Sequence, residues 1–268
     1  MSESDKSVVQ QDLIPGVRSV SMNRPDKRNA FNAEVIAELR GALESASEDP
    51  EVRLVVLGAI GPHFSAGADL NWMRDTAAMS ESENRDDARQ LAGLMRTLDE
   101  LDKPVIAQVR GVAFGGAIGL ICCADIAVAT EHSRFCLSEV RLGLAPATIG
   151  PYVARAIGHR TARRYMLTAE MFDAAKARTM DLVHEIVPEE QLADEVMRMA
   201  KALLQGGEQA QRECKQLLRQ LDNPAGESDI DETTSAMIAR LRTGAEGQEG
   251  LRAFLEKDEP SWRKGGGS

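Results

Sequence analysis

Arg110-Gly111-Val112-Ala113-Phe114-Gly115-Gly116-Ala117-Ile118-Gly119-Leu120 is the stretch on which the fold turns. Just before it, Lys103-Pro104-Val105-Ile106-Ala107 reads as a buried strand opened by proline. Just after it, residues 117–124 form an apolar run. The chain therefore leaves a strand and enters a helix through Gly115-Gly116. Amides at a helix N-terminus have no partner inside the helix, and with the helix dipole they stabilise negative charge developing on an oxygen. No phosphate loop is present here, because no Gly-Lys-Ser/Thr follows and the spacing departs from GxGxxG. Taken alone, the stretch fits close helix–strand packing through glycine equally well.

A second segment of the same kind lies upstream. His63-Phe64-Ser65-Ala66-Gly67-Ala68-Asp69-Leu70 follows a strand and groups small side chains around one glycine. Small residues let a backbone approach a ligand and leave its N–H groups accessible. By itself this segment also fits an ordinary strand-to-helix turn capped by Asp69.

Further out, Gly16–Met22 and residues 53–57 read as strands, and so does 125–129. A helix is expected over 33–46, capped by Asn32 and facing inward through Val35, Ile36, Leu39 and Leu43. Another is expected over 79–101, with Leu91, Leu94, Met95 and Leu98 inward. Strands spaced by helices point to an α/β architecture. After Pro188 the amphipathic segments 189–204, 208–221, 231–241 and 246–256 follow one another with no strand between them. The expected organisation is a core over 1–188, a helical region over 189–264 and a flexible tail over 265–268.

Aromatic residues make up only 4% of the chain against 43% hydrophobic, so a sizeable core must rest on Ala, Val, Ile, Leu and Met. The net charge of −10 argues against a nucleic-acid partner, which needs clustered Lys and Arg, but leaves room for a local basic cleft. No run approaches the roughly 18–20 apolar residues that cross a bilayer, and Met1 to Asp5 is polar, without signal-peptide character. Cys122, Cys123, Cys136 and Cys214 follow no pairing pattern, which points to a reducing cytoplasm. His63, His132, His159 and His184 are scattered with no ligand at metal spacing, so no metal is expected.

In their order and separation, the two glycine segments resemble the enoyl-CoA hydratase/isomerase (crotonase) superfamily. Further support comes from Asn23-Arg24-Pro25-Asp26-Lys27-Arg28-Asn29-Ala30-Phe31-Asn32, Lys103 to Ala107, Asp125-Ile126-Ala127, Phe135 to Pro146 and Leu182-Val183-His184-Glu185-Ile186-Val187. The resemblance runs from about Asn23 to Trp262. It implies a crotonase-like spiral of ββα turns with a helical C-terminal region, and an enzyme acting on an acyl thioester of coenzyme A. It implies that the backbone amides of Ala68 and Gly116 form an oxyanion hole for the thioester oxygen. It places Lys27, Arg28, Ala30, Ala66, Asp69 and Leu70 near the adenine and diphosphate of CoA. No cofactor is implied beyond the CoA moiety of the substrate. A homotrimer or dimer of trimers is implied, with the C-terminal helices covering a CoA site.

Hydratases of the superfamily usually use two glutamates. One matches Glu139, in Ser138-Glu139-Val140-Arg141-Leu142-Gly143-Leu144-Ala145-Pro146; the other falls on Gly119, which cannot transfer a proton. The resemblance is then compatible with a hydratase using Glu139, with a Δ3,Δ2-enoyl-CoA isomerase using Glu139 as sole base, or with a non-catalytic acyl-CoA-binding or scaffold protein. Residues 64–73, 115–120 and 135–146 are similar to bacterial methylglutaconyl-CoA hydratases of leucine catabolism, which favours hydration of 3-methylglutaconyl-CoA. On that reading the substrate's own carboxylate fills the room left by Gly119 and meets Arg74, Arg141 or Arg155. A hydrolase or dehalogenase of the same superfamily would need a nucleophile, for which Asp69 and Asp125 are the candidates.

Overall fold

The computed structural model describes residues 6–222 and 230–264; the polar start over 1–5 and the expected tail over 265–268 lie outside the described residues. In chain order, β1 (Val8–Ile14) and β2 (Gly16–Met22) pair antiparallel, and α1 (Ala33–Glu48) leads to β3 (Val52–Ala59). Next come α2 (Leu70–Ala77), α3 (Glu81–Asp99), β4 (Val105–Val109), β5 (Val112–Phe114) and α4 (Gly116–Cys123). They are followed by β6 (Ile126–Thr130), β7 (Arg134–Cys136), α5 (Gly150–Ile157), α6 (His159–Thr168), β8 (Phe172–Asp173), α7 (Ala174–Thr179) and β9 (Glu185–Val187). The rest is helical: α8 (Leu192–Leu204), α9 (Glu208–Asp222), α10 (Ile230–Thr243), α11 (Ala245–Glu256) and α12 (Ser261–Lys264).

One sheet has the order β1-β2-β3-β4-β6-β9 and is parallel from β2 onward. A smaller sheet has the order β5-β7-β8. Consecutive strands are thus split between two sheets before a helix returns the chain, so β4-β5-α4 and β6-β7-α5 are successive ββα turns of a spiral. Local chemistry marks the helix starts. Asn32 Oδ1 accepts from Val35 N at 2.9 Å to cap α1, and Ser80 and Glu83 form a capping box at the start of α3.

Both faces of the large sheet are covered. On one face, Val35, Ile36, Leu39 and Leu43 of α1 and Leu94, Met95 and Leu98 of α3 pack with the apolar α4. On the other, Val17, Leu54, Val56, Ile106 and Val128 meet Leu192, Val196, Ala200 and Leu204 of α8. Each fully buried Leu, Ile or Val side chain contributes about 1.5–3 kcal/mol, which is why such short parallel strands hold.

The C-terminal helices attach where the parallel strands begin. Lys215 Nζ on α9 donates to Asp125 Oδ2 at 2.6 Å and to Lys103 O at 3.0 Å, and Arg53 Nη2 donates to Gly206 O at 2.6 Å. Arg53 and Gly16 stand at the starts of β3 and β2, while Lys103 and Asp125 lie within two residues before β4 and β6. The glycine segments follow the opposite ends of β3 and β4. Trp262 packs within the chain, its Nε1 donating to Gln205 O at 3.2 Å, whereas Phe254 is 80% exposed.

Candidate active site

Two single-residue parallel bridges, Phe31 with Ala68 and Ser65 with Ala113, lace three loops together at the ends of β3 and β4. Phe31 N donates to Gly67 O at 2.7 Å, and Asp69 N donates to Phe31 O at 2.7 Å. In a parallel ladder the residue between two such bonds turns its own N–H and C=O the other way. Ala68 therefore points its N–H away from Phe31, and the residue is exposed. Gly67 (φ 89°) backs directly onto this arrangement, since a Cβ on it would lie 3.1 Å from Phe114 O. Gly116 opens α4, so its N–H has no intrahelical partner. The Phe31 ring closes on Gly116, where a Cβ would be 3.2 Å from Cε2. Among the described residues, neither the Ala68 nor the Gly116 amide donates to a protein acceptor.

A carboxyl arrives at the same place. β5 pairs with β7 so that Phe114 faces Cys136, and Gly115 N donates to Cys136 O at 2.9 Å. The next turn, Glu139–Leu142, brings Glu139 back against the glycine pair: a Cβ on Gly115 would stand 3.2 Å from Glu139 Oε1. Glu139 Oε2 is buried and has no hydrogen-bond partner. Burial pushes the Glu139 carboxyl above the usual carboxylate range, because the charged form loses its water. Together, an unpaired carboxyl of raised pKa and two free main-chain donors can hold an oxygen that gains charge and move a proton beside it.

Separate parts of the chain converge around these donors. Arg28 and Asn29 adopt left-handed backbone (φ 50° and 54°), and Arg28 O accepts from Ala66 N at 2.9 Å. Asn29 is buried and staples the loop by donating through Nδ2 to Ile60 O and His63 O. Lys27 and Arg28 stay exposed beside it, while Ala30 O accepts from Arg24 Nη1 at 2.8 Å. Leu70, 77% exposed, opens α2 immediately after the Ala68 segment.

The family model described as enoyl-CoA hydratase/isomerase matches residues 14–265. The chain belongs to the enoyl-CoA hydratase/isomerase family. It is similar to the solved structure of an enoyl-CoA hydratase from Shewanella pealeana, with 47% identity and a TM-score of 0.92 over 96% of each chain. It is 33% identical to a crotonyl-CoA hydratase of Syntrophomonas wolfei, over 88% of this chain and 90% of that protein. It is 30% identical to enoyl-CoA hydratase domain-containing protein 3, mitochondrial, of Danio rerio, over 98% of this chain and 90% of that protein. The crotonase-like α/β fold with its helical C-terminal region stands.

For this hydratase/isomerase family member, three sequence expectations change. Gly119 leaves no room for a substrate carboxylate: a Cβ there would lie 2.3 Å from Ile149 Cγ2, 2.8 Å from Ile149 Cβ and 3.1 Å from Met95 Sδ. Protein hydrocarbon fills that space. Of the three candidate arginines, Arg155 pairs with Asp99 at the far end of α4, and Arg141 Nη2 is held by Ala169 O at 2.6 Å. Arg74 is exposed and reaches Asn71 Oδ1. Asp69 turns its carboxylate inward, pairing with Arg24 Nη2 at 3.0 Å and capping α2 through Asn71 N at 2.8 Å. Those hydrogen bonds and the Arg24 charge outweigh its burial and hold its carboxyl below the ordinary range. Neither aspartate proposed as a nucleophile is free for that role, because Asp125 is bound to Lys215 and Val105 N at the opposite edge of the sheet.

Arg24, Asn29, Phe31 and Ile149 shape the site without having been singled out in the sequence. For the first three the signal was present in the quoted 23–32 stretch. An apolar residue such as Ile149 carries none. A cavity of about 500 Å³ lies between Gly16, Arg53, Leu204 and Trp262, away from these groups. Arg53 there serves main-chain carbonyls, and Glu246 caps α9 through Gln209 N and Ala210 N, so that space is a packing seam.

Proposed function

We propose that this chain adds water to a 2-enoyl-CoA, with 3-methylglutaconyl-CoA of leucine catabolism as the substrate. The observation that carries the reading is the Glu139 carboxyl, its Oε1 against Gly115 one residue from a free main-chain donor and its buried Oε2 unpaired. The thioester oxygen accepts hydrogen bonds from the Ala68 and Gly116 amides, each such donor lowering the barrier by about 3–4 kcal/mol. Ionised Glu139 takes a proton from water as its oxygen attacks C3, and the π electrons move onto the thioester oxygen. The same carboxyl returns the proton to C2 as the enolate collapses. Lys27 and Arg28 meet the CoA phosphates, with Ala30, Ala66 and Leu70 alongside the nucleotide; Asp69 acts through the backbone of its loop.

The hydrocarbon wall at Gly119, Ile149 and Met95 favours a second reading. With one carboxyl at hand, a Δ3,Δ2-enoyl-CoA isomerase would remove a proton at C2 and return it at C4. Turnover of 3-methylglutaconyl-CoA, crotonyl-CoA and a 3-enoyl-CoA by wild type and Glu139→Gln decides between them. Hydration lost on substitution supports the first reading, and double-bond migration without hydration supports the second. CoA binding with no turnover of any of the three would leave an acyl-CoA-binding protein.

Assembly as a trimer or dimer of trimers belongs to the same proposal, supported by Leu218, Leu251, Phe254 and Leu255 standing exposed on α9 and α11. A cytoplasmic location is supported by free Cys122, Cys123, Cys136 and Cys214. None of the described helices is long and apolar enough to cross a membrane.

A further inference from the structure

We infer that Ile149 is a positioning residue for Glu139, keyed into the notch that Gly119 leaves in α4; this rests on Glu139 being the proton-transferring group. The segment 139–149 meets two glycines, Gly115 just before α4 and Gly119 within it. Its first residue sets Oε1 against Gly115, and its last sets Cγ2 and Cβ against Gly119, so closely that neither position admits a methyl group without movement. Gly116 and Gly119 share one face of the helix, because residues three apart are neighbours on its surface. Glu139 and the oxyanion amide are therefore registered against one rigid element.

Between its two ends the segment is braced. Leu144 N donates to Glu139 O at 3.1 Å, Ala147 N to Ala145 O at 2.7 Å and Gly150 N to Pro146 O at 2.8 Å. Arg141 Nη2 ties it sideways to Ala169 O. Ile149 is 1% exposed, with Met95 of α3 closing the notch. No partner holds Glu139 Oε2. The carboxyl therefore sits where its backbone puts it, and the far end of that backbone is seated by the Ile149 side chain. The β-branch matters, since Cγ2 is the atom that enters the notch.

The test uses the full chain and four variants, Ile149→Ala, Ile149→Val, Ile149→Met and Gly119→Ala, with the double variant Gly119→Ala/Ile149→Ala. Two reactions are followed: hydration of 2-enoyl-CoA, and exchange of the α-protons of butyryl-CoA with deuterated water. The second needs only the oxyanion amides and a positioned Glu139. Ile149→Ala and Gly119→Ala are each expected to lower both rates about 100-fold, the cost of misplacing a reacting group by about 1 Å, with KM changed less than about twofold. Ile149→Val keeps Cγ2 and stays near wild type. Ile149→Met keeps the volume but loses the branch, so its rates fall even where its melting temperature holds. The double variant recovers about tenfold over Gly119→Ala as the clash is relieved.

Ile149→Ala or Ile149→Met with wild-type exchange overturns the inference, as does a fall in stability that leaves both rates intact. Lost hydration alongside normal exchange in the wild type overturns the hydratase reading and leaves Ile149 in its role. A wild type silent in both reactions overturns both.

Discussion

At the edge of the sheet where the parallel strands begin, charges are matched. Lys215 meets Asp125 and Lys103 O, Arg53 meets Leu204 O and Gly206 O, and buried Lys103 donates to Ala46 O and Asp49 O. At the edge where those strands end, the Ala68 and Gly116 amides and Glu139 Oε2 are left without protein partners. A buried polar atom without a hydrogen bond costs about 1–3 kcal/mol. The molecule thus partners its charged groups at one edge and keeps unsatisfied donors and a carboxyl at the other. What separates the two edges is whether polar groups find their partners within the protein.

The comparison breaks most visibly at Glu139. Replacement by Gln is expected to lower turnover about 1,000-fold, within the range of general acid–base catalysis, while leaving binding of a CoA thioester unchanged in calorimetry. The same variant should be no less stable than wild type, because a buried carboxyl is replaced by a neutral amide. Its pH behaviour follows from the raised pKa. In the base role proposed above Glu139 must be ionised, so kcat/KM should climb with pH through a midpoint above the ordinary carboxylate range. For folding the sign is opposite. The native state holds this proton more tightly than the unfolded chain, so Glu139 lowers stability as pH rises from its ordinary value through its raised one. Denaturant melts of Glu139→Gln across that window should lack this component.

A smaller loss is expected from Gly67→Val. Its φ of 89° and the 3.1 Å approach of a Cβ to Phe114 O force the Ala68 and Gly116 loops apart, and kcat should fall about 100-fold. Steady-state kinetics would break the comparison if the enzyme tolerated it. At the opposite edge, Lys215→Met should reduce stability by about 2 kcal/mol, as expected for hydrogen bonds to a charged group. In that variant kcat should stay at the wild-type value, and a fall in kcat would show that the edges are coupled. The least effect belongs to Ala68→Ser, expected to change kcat/KM less than about twofold because the donor is main chain.

Legibility in the sequence followed length and periodicity. α1 and α3 were readable because their apolar residues recur on one face over several turns, and Asn32 marked the start of α1. β4 was readable from a compact apolar run, and β2 from valines and a methionine spaced among polar residues. β5 and β7 were not, since three residues carry no period. β1 was missed as an edge strand whose Gln10, Gln11 and Asp12 resemble a polar leader. Of the site, the glycine pair was legible as a strand-to-helix entry, and Glu139 only through the resemblance to the family. The wall opposite Gly119 was not, because Ile149 lies thirty positions away and only tertiary packing joins them. The inward turn of Asp69 was half-legible: its capping role could be read, but its pairing with Arg24 spans forty-five residues.

The bridge between Phe31 and Ala68 also imposes a parity on its loop. Along a parallel ladder, inward and outward amides alternate one by one, so which N–H is spare depends on whether a residue occupies an odd or an even place relative to Phe31. Adding a single residue between Ser65 and Ala68 would leave length, charge and hydrophobicity almost untouched, yet it would aim the Ala68 amide at Phe31 and release its neighbour's instead. Adding two would restore the original sense. Tolerance of this loop to insertion should therefore alternate with the number of residues added.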